Sequence, residues 1–429
     1  MALPDVLRNR DFTLYWSGVV LSQVGTRGTI AANYYQVYAL TGSVLQTGLV
    51  GAGQVIALLL LSPLGGAYAD RLDRRRLLQW AQSVSLVVAL GLAVLTLSGQ
   101  ARAWHVVLSV LLTTAAATFD QPARQAIIPA MVPRAQLPQA IALLNPSREV
   151  AVLVGPALAG VLIAVGGPGL VYVFDVVTYA ALIAVLAVLR VPPLVQSGPA
   201  RSVFGSIAEG ARYVAHRPLI TRLMGLDLSA TVFSAYRVLL PAIALDVLQV
   251  GPTGYGLLAS APSAGALLAT YSIFRVIGRS ERLGRVVLVS TILYGLAAML
   301  LGQSRWFPLA LLAALLLGAF DAMATTIRHA AVQVDTPDEL RGRVTAFYQM
   351  SSRGGPALGD VLIGAFAAAV GPAVALTVGG LGPVLVAAAF LARPNVVREY
   401  RAATPPEQDP PAPGTPPVEG VGVRSVRRP

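Results

Sequence analysis

The stretch 65–78, GGAYADRLDRRRLL, constrains the chain most, because it sets Asp70, Arg71, Asp73, Arg74, Arg75 and Arg76 between two long apolar runs. The runs, 44–68 and 77–97, are nearly free of charge, and each exceeds the roughly 20 residues that carry a helix across a ~30 Å hydrocarbon layer. Together they read as a helical hairpin with its turn in water. A turn so charged cannot sit in lipid, and its arginine excess assigns it to the cytoplasmic side. The orientation of every other segment follows from that.

Composition agrees with a chain built for lipid. Hydrophobic residues make up 55% and charged residues 12%, with a mean hydropathy of +0.67, whereas about a quarter of the residues of a soluble domain are charged. The chain is a polytopic membrane protein. All 32 basic residues are arginine, so no lysine exists to serve a Walker-type phosphate site or a Schiff base, which argues against ATP-driven pumping. With no cysteine and three isolated histidines, His105, His216 and His329, no disulfide, metal site or cofactor is expected. The net charge of +12 does not indicate nucleic acid, because loop topology and anionic lipid headgroups account for it.

In chain order, a short amphipathic piece at 3–11 precedes a first run at 12–40, too long and too polar for a cleaved signal peptide. Further runs follow at 105–119, 139–165 and up to about residue 190. Between the fourth and fifth, FDQPARQAIIPAMVPRAQLP carries four prolines, which predict a broken segment along the inner surface. Residues 191–218 form the longest polar connection, with a surface helix expected at 203–215. Six more runs lie at 219–247, 253–275, 286–302, 307–327, 344–369 and 371–392. The expected fold is therefore an all-α membrane protein of twelve transmembrane helices in two six-helix halves, 1–190 and 219–393, joined by 191–218 and followed by a disordered, Pro-rich basic tail at 394–429. With both ends placed in the cytoplasm of a bacterial inner membrane, only Arg102 and Arg305 fall in outer loops.

The halves also repeat. Phe119-Asp120 matches Phe320-Asp321, Gly155-Pro156-Ala157-Leu158 matches Gly355-Pro356-Ala357-Leu358, and Gly48-Leu49 matches Gly256-Leu257. Repetition of six helices in the same direction implies two halves about an axis along the membrane normal, with a path between them.

The hinge residues Gly66, Asp70, Arg71, Arg74 and Arg75 follow a G-x-x-x-D-R-x-G-R-R pattern, with Asp73 in place of its second glycine, and so the chain resembles the major facilitator superfamily. The fifth run, AVLVGPALAG, resembles that superfamily's antiporter signature at Gly155, Pro156 and Gly160, with Ala151 and Ala159 replacing glycines. The phrases LRNRDFTLYWSG, FDQPARQAIIPAMVP, EGARYVAHRPL and LRGRV are similar to a branch of bacterial siderophore and macrolide exporters. The resemblance covers about residues 5–392 and implies a secondary transporter with a conformational latch at the hinge. The arginine that many proton-driven exporters carry in the fourth helix is missing from 105–119.

Ionisable groups in lipid cost roughly 2.5–3.5 kcal/mol each on insertion scales, so those that persist are candidate sites. Arg27, Glu149, Asp227, Arg237 and Arg353 form the candidate proton or substrate path, with Glu149 and Asp227 the leading proton carriers. The alternative is structural pairing, Arg27 with Glu149 and Arg353 with Asp360. Asp120, Asp175 and Asp321 lie near expected helix ends and read as caps or latches. Asn33, Tyr34 and Gln36 are candidate substrate contacts, and an interfacial aromatic belt would explain the tyrosines equally well. The function expected is proton-coupled export of a small hydrophobic or amphiphilic molecule by alternating access. Its partners are that substrate, protons and membrane lipids, and the chain is a monomer. An uptake facilitator or a lipid-processing membrane enzyme is the alternative, though no catalytic constellation appears.

Overall fold

A computed structural model describes residues 5–69, 73–189, 203–280 and 282–401. The first half contains α1 (Arg10–Thr41), α2 (Val44–Ala69), α3 (Arg74–Leu97), α4 (Ala103–Met131), α5 (Leu137–Gly166) and α6 (Pro168–Val188). A short helix, α7 (Val203–Ala215), precedes the second half. That half holds α8 (Pro218–Phe233), the brief α9 (Leu240–Ala242), α10 (Gly251–Arg279), α11 (Leu283–Gln303), α12 (Phe307–Val334), α13 (Asp338–Val370) and α14 (Pro372–Ala392). No strand occurs among the described residues.

Local chemistry sets the helix ends. Asn9 caps α1 by accepting from the backbone N–H groups of Asp11 and Phe12, and Gly42 closes it with a left-handed φ of 59°, a conformation that costs glycine nothing. The turns α5–α6 and α13–α14 are repeat copies of each other: Gly167 (φ 79°) and Gly371 (φ 85°) each precede a proline at the first helical position. Asp73, the residue that replaces the pattern's second glycine, caps α3 by accepting from Arg75 and Arg76. The turn is thus ended by a side-chain cap at that position.

Among the described residues, nine helices are long and apolar enough to cross a membrane by composition. The 32-residue α1 and 33-residue α13 have the length but are more polar, as a helix that lines a path must be. The seventh run departs from one helix: α8 stops at Phe233, and after an irregular stretch α9 runs into a π turn, Ile243–Val247. Backbone freed in this way is tolerated at membrane depth only where protein or water meets it.

The expected break across FDQPARQAIIPAMVP does not occur. α4 continues through Pro122 and Pro129 to Met131, and only at Pro133 does it give way to a 3-10 turn, Arg134–Gln136. In a membrane the loss of one ladder bond at a proline costs less than exposing the backbone of a whole broken turn. The tail also starts later than expected. Val397 is fully buried against α11 and α14, and Gly284 N–H donates to the Tyr400 carbonyl at 3.0 Å, because one apolar side chain after Arg393 finds the end of the bundle. The rest of the tail, 402–429, and the hinge residues Asp70 and Arg71 lie outside the described residues.

Within the first half α1 packs on α5 and α6, and α3 on α4 and α6. Within the second, α10 packs on α12, and α11 on α12 and α14. Two seams join the halves, α2 with α13 and α5 with α10. Both are made by glycines: a Cβ on Gly256 would sit 2.7 Å from the Gly160 Cα, and one on Gly364 3.0 Å from the Gly48 Cα. Such contacts let backbones approach closely where no hydrophobic force draws helices together.

Candidate functional site

The helices enclose two cavities of about 570 and 550 Å³. The first lies in the N-terminal half and reaches Ile128, Pro129 and Leu137, beside the hinge end of α4 and α5. The second lies against α8, α10, α12 and α13. Arg27 of α1 and Arg148 of α5 line both, so the cavities meet at these guanidiniums.

The end away from the hinge is closed by contacts between α1 and the other half. The Tyr34 hydroxyl donates to Asp360 Oδ2 at 2.6 Å, the Tyr38 hydroxyl donates to Asp246, and the Tyr255 hydroxyl donates to the Ala31 carbonyl at 2.8 Å. Tyr34 and Tyr38 are four residues apart and share one face of α1. Asp360 and Tyr34 are both almost fully buried. A hydroxyl donating to a carboxylate out of water is worth roughly 1.5–3 kcal/mol.

Each half holds a buried ion pair. In the first, Arg124 Nε donates to Asp120 at 2.5 Å, Gln82 donates to the other carboxylate oxygen at 2.6 Å, and Ser22 donates to Gln82 at 3.4 Å. In the second, Arg328 Nη2 lies 2.6 Å from Asp227, donates to Thr325 at 2.7 Å and stands 3.8 Å from Asp321. Asp175 of α6 accepts from Thr29 at 2.7 Å.

These pairs revise three sequence expectations. Asp120, Asp175 and Asp321 are interior partners rather than caps, because α4 extends past its expected end and all three lie inside helices. The extended α4 does carry an arginine beyond residue 119, Arg124, paired with Asp120 near the hinge end of the helix. Arg328 went unnoticed altogether, although its signal was available: Asp321, Thr325 and Arg328 share one face of α12 at spacings of four and three.

Of the candidate path residues, Arg27, Glu149 and Arg237 line the second cavity. Asp227 lines neither cavity and faces Arg328 inside its own half. Arg353 instead donates to Gln121 of α4 at 2.8 Å and weakly to Gln349. Neither structural pair considered from sequence forms: Asp360 is held by Tyr34, and no ion pair joins Arg27 to Glu149 among the described residues. Asn33 lines the first cavity, while Tyr172 donates its hydroxyl between Asn33 Oδ1 and Gln36 Oε1, and Gln36 donates on to Thr96. The amides of Asn33 and Gln36 are thus tied within the half, and Tyr34 serves the closure.

The fifth-run motif divides its work. A Cβ on Gly155 would come within 2.6 Å of the Arg27 Cβ, so this glycine seats α1 on α5, whereas Gly160 forms the seam with α10. At the hinge, Gly66 falls in the last turns of α2. Arg75 donates to the carbonyls of Leu186 and Ala187 at 2.6 and 2.7 Å, capping the end of α6 within its own half.

Two helical bundles joined by glycine seams, with cavities that meet at Arg27 and Arg148, define a membrane transporter of the major facilitator type. The sequence profile described as "Transmembrane secretion effector" matches residues 4–415, and the chain belongs to that family. It is 28% identical over 379 residues to the enterobactin exporter EntS of Salmonella choleraesuis (strain SC-B67), covering 87% of this chain and 89% of that one. To the EntS of Escherichia coli O1:K1 / APEC it is 27% identical over 377 residues, 87% and 88% of the two chains. Among solved structures, the nucleoside transporter NupG superposes with a TM-score of 0.71 over 91% of this chain and all of that one, at 13% identity. A bacterial homologue of the iron transporter ferroportin in an inward-facing state gives 0.68 over 90% and 99%, at 17% identity.

Proposed function

We propose that the protein exports a small amphiphilic molecule, a siderophore or a drug, from the cytoplasm by alternating access coupled to protons. The observation that carries this reading is the asymmetry of the path. Tyr34, Tyr38 and the glycine seams close one end, while the first cavity runs down to α4 and α5 beside the arginine-rich hinge. The arginine bias makes the hinge end cytoplasmic, so the conformation is inward-facing, ready to load from inside.

Glu149 and Asp360 are the carboxylates best placed to carry protons, since both line the second cavity and neither is ion-paired to an arginine among the described residues. Asp227 loses that role to Glu149, being neutralised by Arg328. Loss of the proton from Asp360 strengthens the Tyr34 bond and holds the empty protein inward-facing, so that only substrate or a proton releases it. This is the logic an exchanger needs to avoid slipping. The hinge residues Gly66, Asp70 and Arg71 remain the proposed latch for the opposite, outward-facing state. One chain suffices as a monomer in the inner membrane, with both termini cytoplasmic.

The test uses purified protein in proteoliposomes, with enterobactin as the first candidate because relatives are named for its export. Substrate-driven proton movement should appear with wild type and vanish in Glu149→Gln or Asp360→Asn. Unchanged coupling in both variants removes them as carriers, and substrate accumulating in right-side-out rather than inverted vesicles turns the exporter into an uptake system.

A further inference from the structure

We infer that Asp175, buried between α1 and α6, is a protonation site of the transport cycle that loads and releases its proton through the first cavity. This deepens the export reading, on which its biological use rests, by adding a third proton carrier beside Glu149 and Asp360.

Other carboxylates inside this bundle are given a cation. Asp120 and Asp227 have arginine nitrogens at 2.5 and 2.6 Å, and Asp321 has one at 3.8 Å. Asp175 lies within α6, is 1% exposed and has no ion pair among the described residues. The helices packed on α6 are α1, α3 and α5, and their charges lie elsewhere. Arg27 of α1 sits over Gly155, Arg148 and Glu149 of α5 line the second cavity, and α3 is charged only in its first turn. What faces Asp175 is a set of hydroxyls, Thr29 from α1 with Thr178 and Tyr179 from α6 itself. The paired Asp120 and Arg124 of α4 bear on Tyr179 and not on Asp175.

The hydrogen bonds fit an acid that holds its proton. Thr29 Oγ1 donates to Asp175 Oδ2 at 2.7 Å. Thr178 has a single hydroxyl proton, and the shorter of its two contacts, 2.8 Å, gives that proton to the Asp175 carbonyl. Its lone pairs therefore face Oδ1 at 3.2 Å, an arrangement that repels a bare anion and bonds an O–H. An ionised group here would have neither a cation nor water to offset its burial. Gly25 of α1 makes the seat, since a Cβ there would stand 2.6 Å from Oδ1.

The acid is nonetheless one hydroxyl away from the cavity. Thr29 lines the first cavity, and so do Thr26 and Tyr179, whose hydroxyl oxygens are 3.0 Å apart. Rotation of the carboxyl brings its proton to Oδ2, Thr29 Oγ1 accepts it, and Thr29 gives its own proton to solvent in the cavity. One proton has then left Asp175, and the anion keeps the Thr29 hydroxyl as donor. Because the exchange runs through the cavity, the proton is traded with whichever side the cavity opens to, as alternating access around a fixed site requires.

Infrared difference spectra of the full chain in nanodiscs, recorded on raising the pH with no substrate present, should show the C=O band of a protonated carboxyl being lost, and Asp175→Asn should remove that band. Thr29→Val takes a hydrogen bond from Oδ2, so it should shift the band to higher frequency and slow its loss at least about tenfold, the low side of what a positioned proton-transfer group supplies. That signature assigns the band even where Asp175→Asn fails to fold. In proteoliposomes with enterobactin as probe, Asp175→Asn imitates the protonated acid and should keep substrate binding while lowering the number of protons moved per substrate. A carboxyl band that answers neither to pH nor to Thr29→Val makes Asp175 a permanently protonated packing residue and overturns the inference, as does coupling that follows sodium in place of protons. Coupled export with the same proton ratio in wild type and Asp175→Asn keeps the export reading and removes Asp175 from it. A titrating band that answers to Thr29→Val, with no substrate-driven proton movement in wild type, keeps the protonation site and removes the export reading.

Discussion

The two seams that join the halves are copies of each other in the repeat, yet they are held differently. Along α5–α10, Gly160 meets Gly256 backbone to backbone, with the Pro156 carbonyl 2.7 Å from where a Gly256 Cβ would stand. Along α2–α13, Gly48 meets Gly364 in the same manner. The repeat position equivalent to Gly160, however, is Asp360: GPALAG in one copy reads GPALGD in the other. That carboxylate lines the cavity and takes the Tyr34 hydroxyl. One seam is therefore fixed by shape alone, the other by shape and charge. Only the second can respond to a proton, and so the closed end has a structural clasp on one side and a chemical clasp on the other.

The largest effect expected is one that neither seam should feel. Asp227 and Arg328 pair within the second half and stay together whichever end of the path is open. Asp227→Asn leaves Arg328, about 1% exposed, with only the more distant Asp321 at 3.8 Å as counter-charge, which should cost up to roughly 3 kcal/mol of stability, the lower end of the cost of breaking a buried pair. Unfolding in denaturant should register this loss, while spin-label distances between the halves keep their wild-type distribution. A changed distribution would mean that the pair belongs to gating after all.

Next in size is the chemical clasp. Tyr34→Phe removes one charge-assisted bond from the closed state only, about 1.5–3 kcal/mol, and should move the population toward an open outer end by roughly tenfold or more. Distances across the ends of α1 and α8–α9 away from the hinge should lengthen. In a double-mutant cycle with Asp360→Asn, the two changes should not add, because they break the same contact. Additive shifts would place the coupling elsewhere.

The shape-only seam gives a smaller response of the same sign. Gly256→Ala introduces a methyl where backbone atoms already fill the space, and overpacking of this sort costs about 1–3 kcal/mol, partly relieved by a small slide of α10. The shift toward opening should not depend on pH, whereas any residual pH dependence of the Tyr34 clasp should survive intact. Were the Gly256→Ala shift to vary with pH, the two seams would not be chemically distinct.

How far the seams could be read beforehand follows from what each is made of. The glycines were legible as motif and repeat, because close approach demands one residue type at fixed spacing. The two-half architecture was legible for the same reason, helix by helix, from charge and hydropathy. The chemical clasp was not, because Tyr34 and Asp360 are 326 residues apart and nothing local marks one as the other's partner. Tyr34 read equally well as a substrate contact. Arg124 and Arg328 were missed for a different reason. Prolines place the end of α4 before Arg124, although a membrane helix carries a proline more readily than an unpaired backbone, and the apolar run of α12 closes at 327, one residue short of Arg328, so that Asp120 and Asp321 both look like helix ends.

The smallest effect belongs to the hinge, and it separates a cap from a latch. Asp73 accepts from two backbone N–H groups at the start of α3, and Arg75 covers the last carbonyls of α6 in the same half. Both contacts join elements that move together if the halves rock as rigid bodies. Asp73→Ala should therefore cost about 1 kcal/mol, the usual worth of a helix N-cap, and that cost should fall on overall stability and not on the balance between states. The matched substitution is Asp70→Asn, three residues earlier, where the family resemblance implies a bond that exists in one state only. If Asp70→Asn shifts the distances across the hinge ends of α2 and α13 by about tenfold in population while Asp73→Ala leaves them unchanged, the two acids of one short turn have separate duties. Should both leave the distances unchanged, the hinge is a capped, solvated turn that orients the chain in the membrane, and the clasp at Tyr34 and Asp360 carries the control of opening without a counterpart at the hinge end.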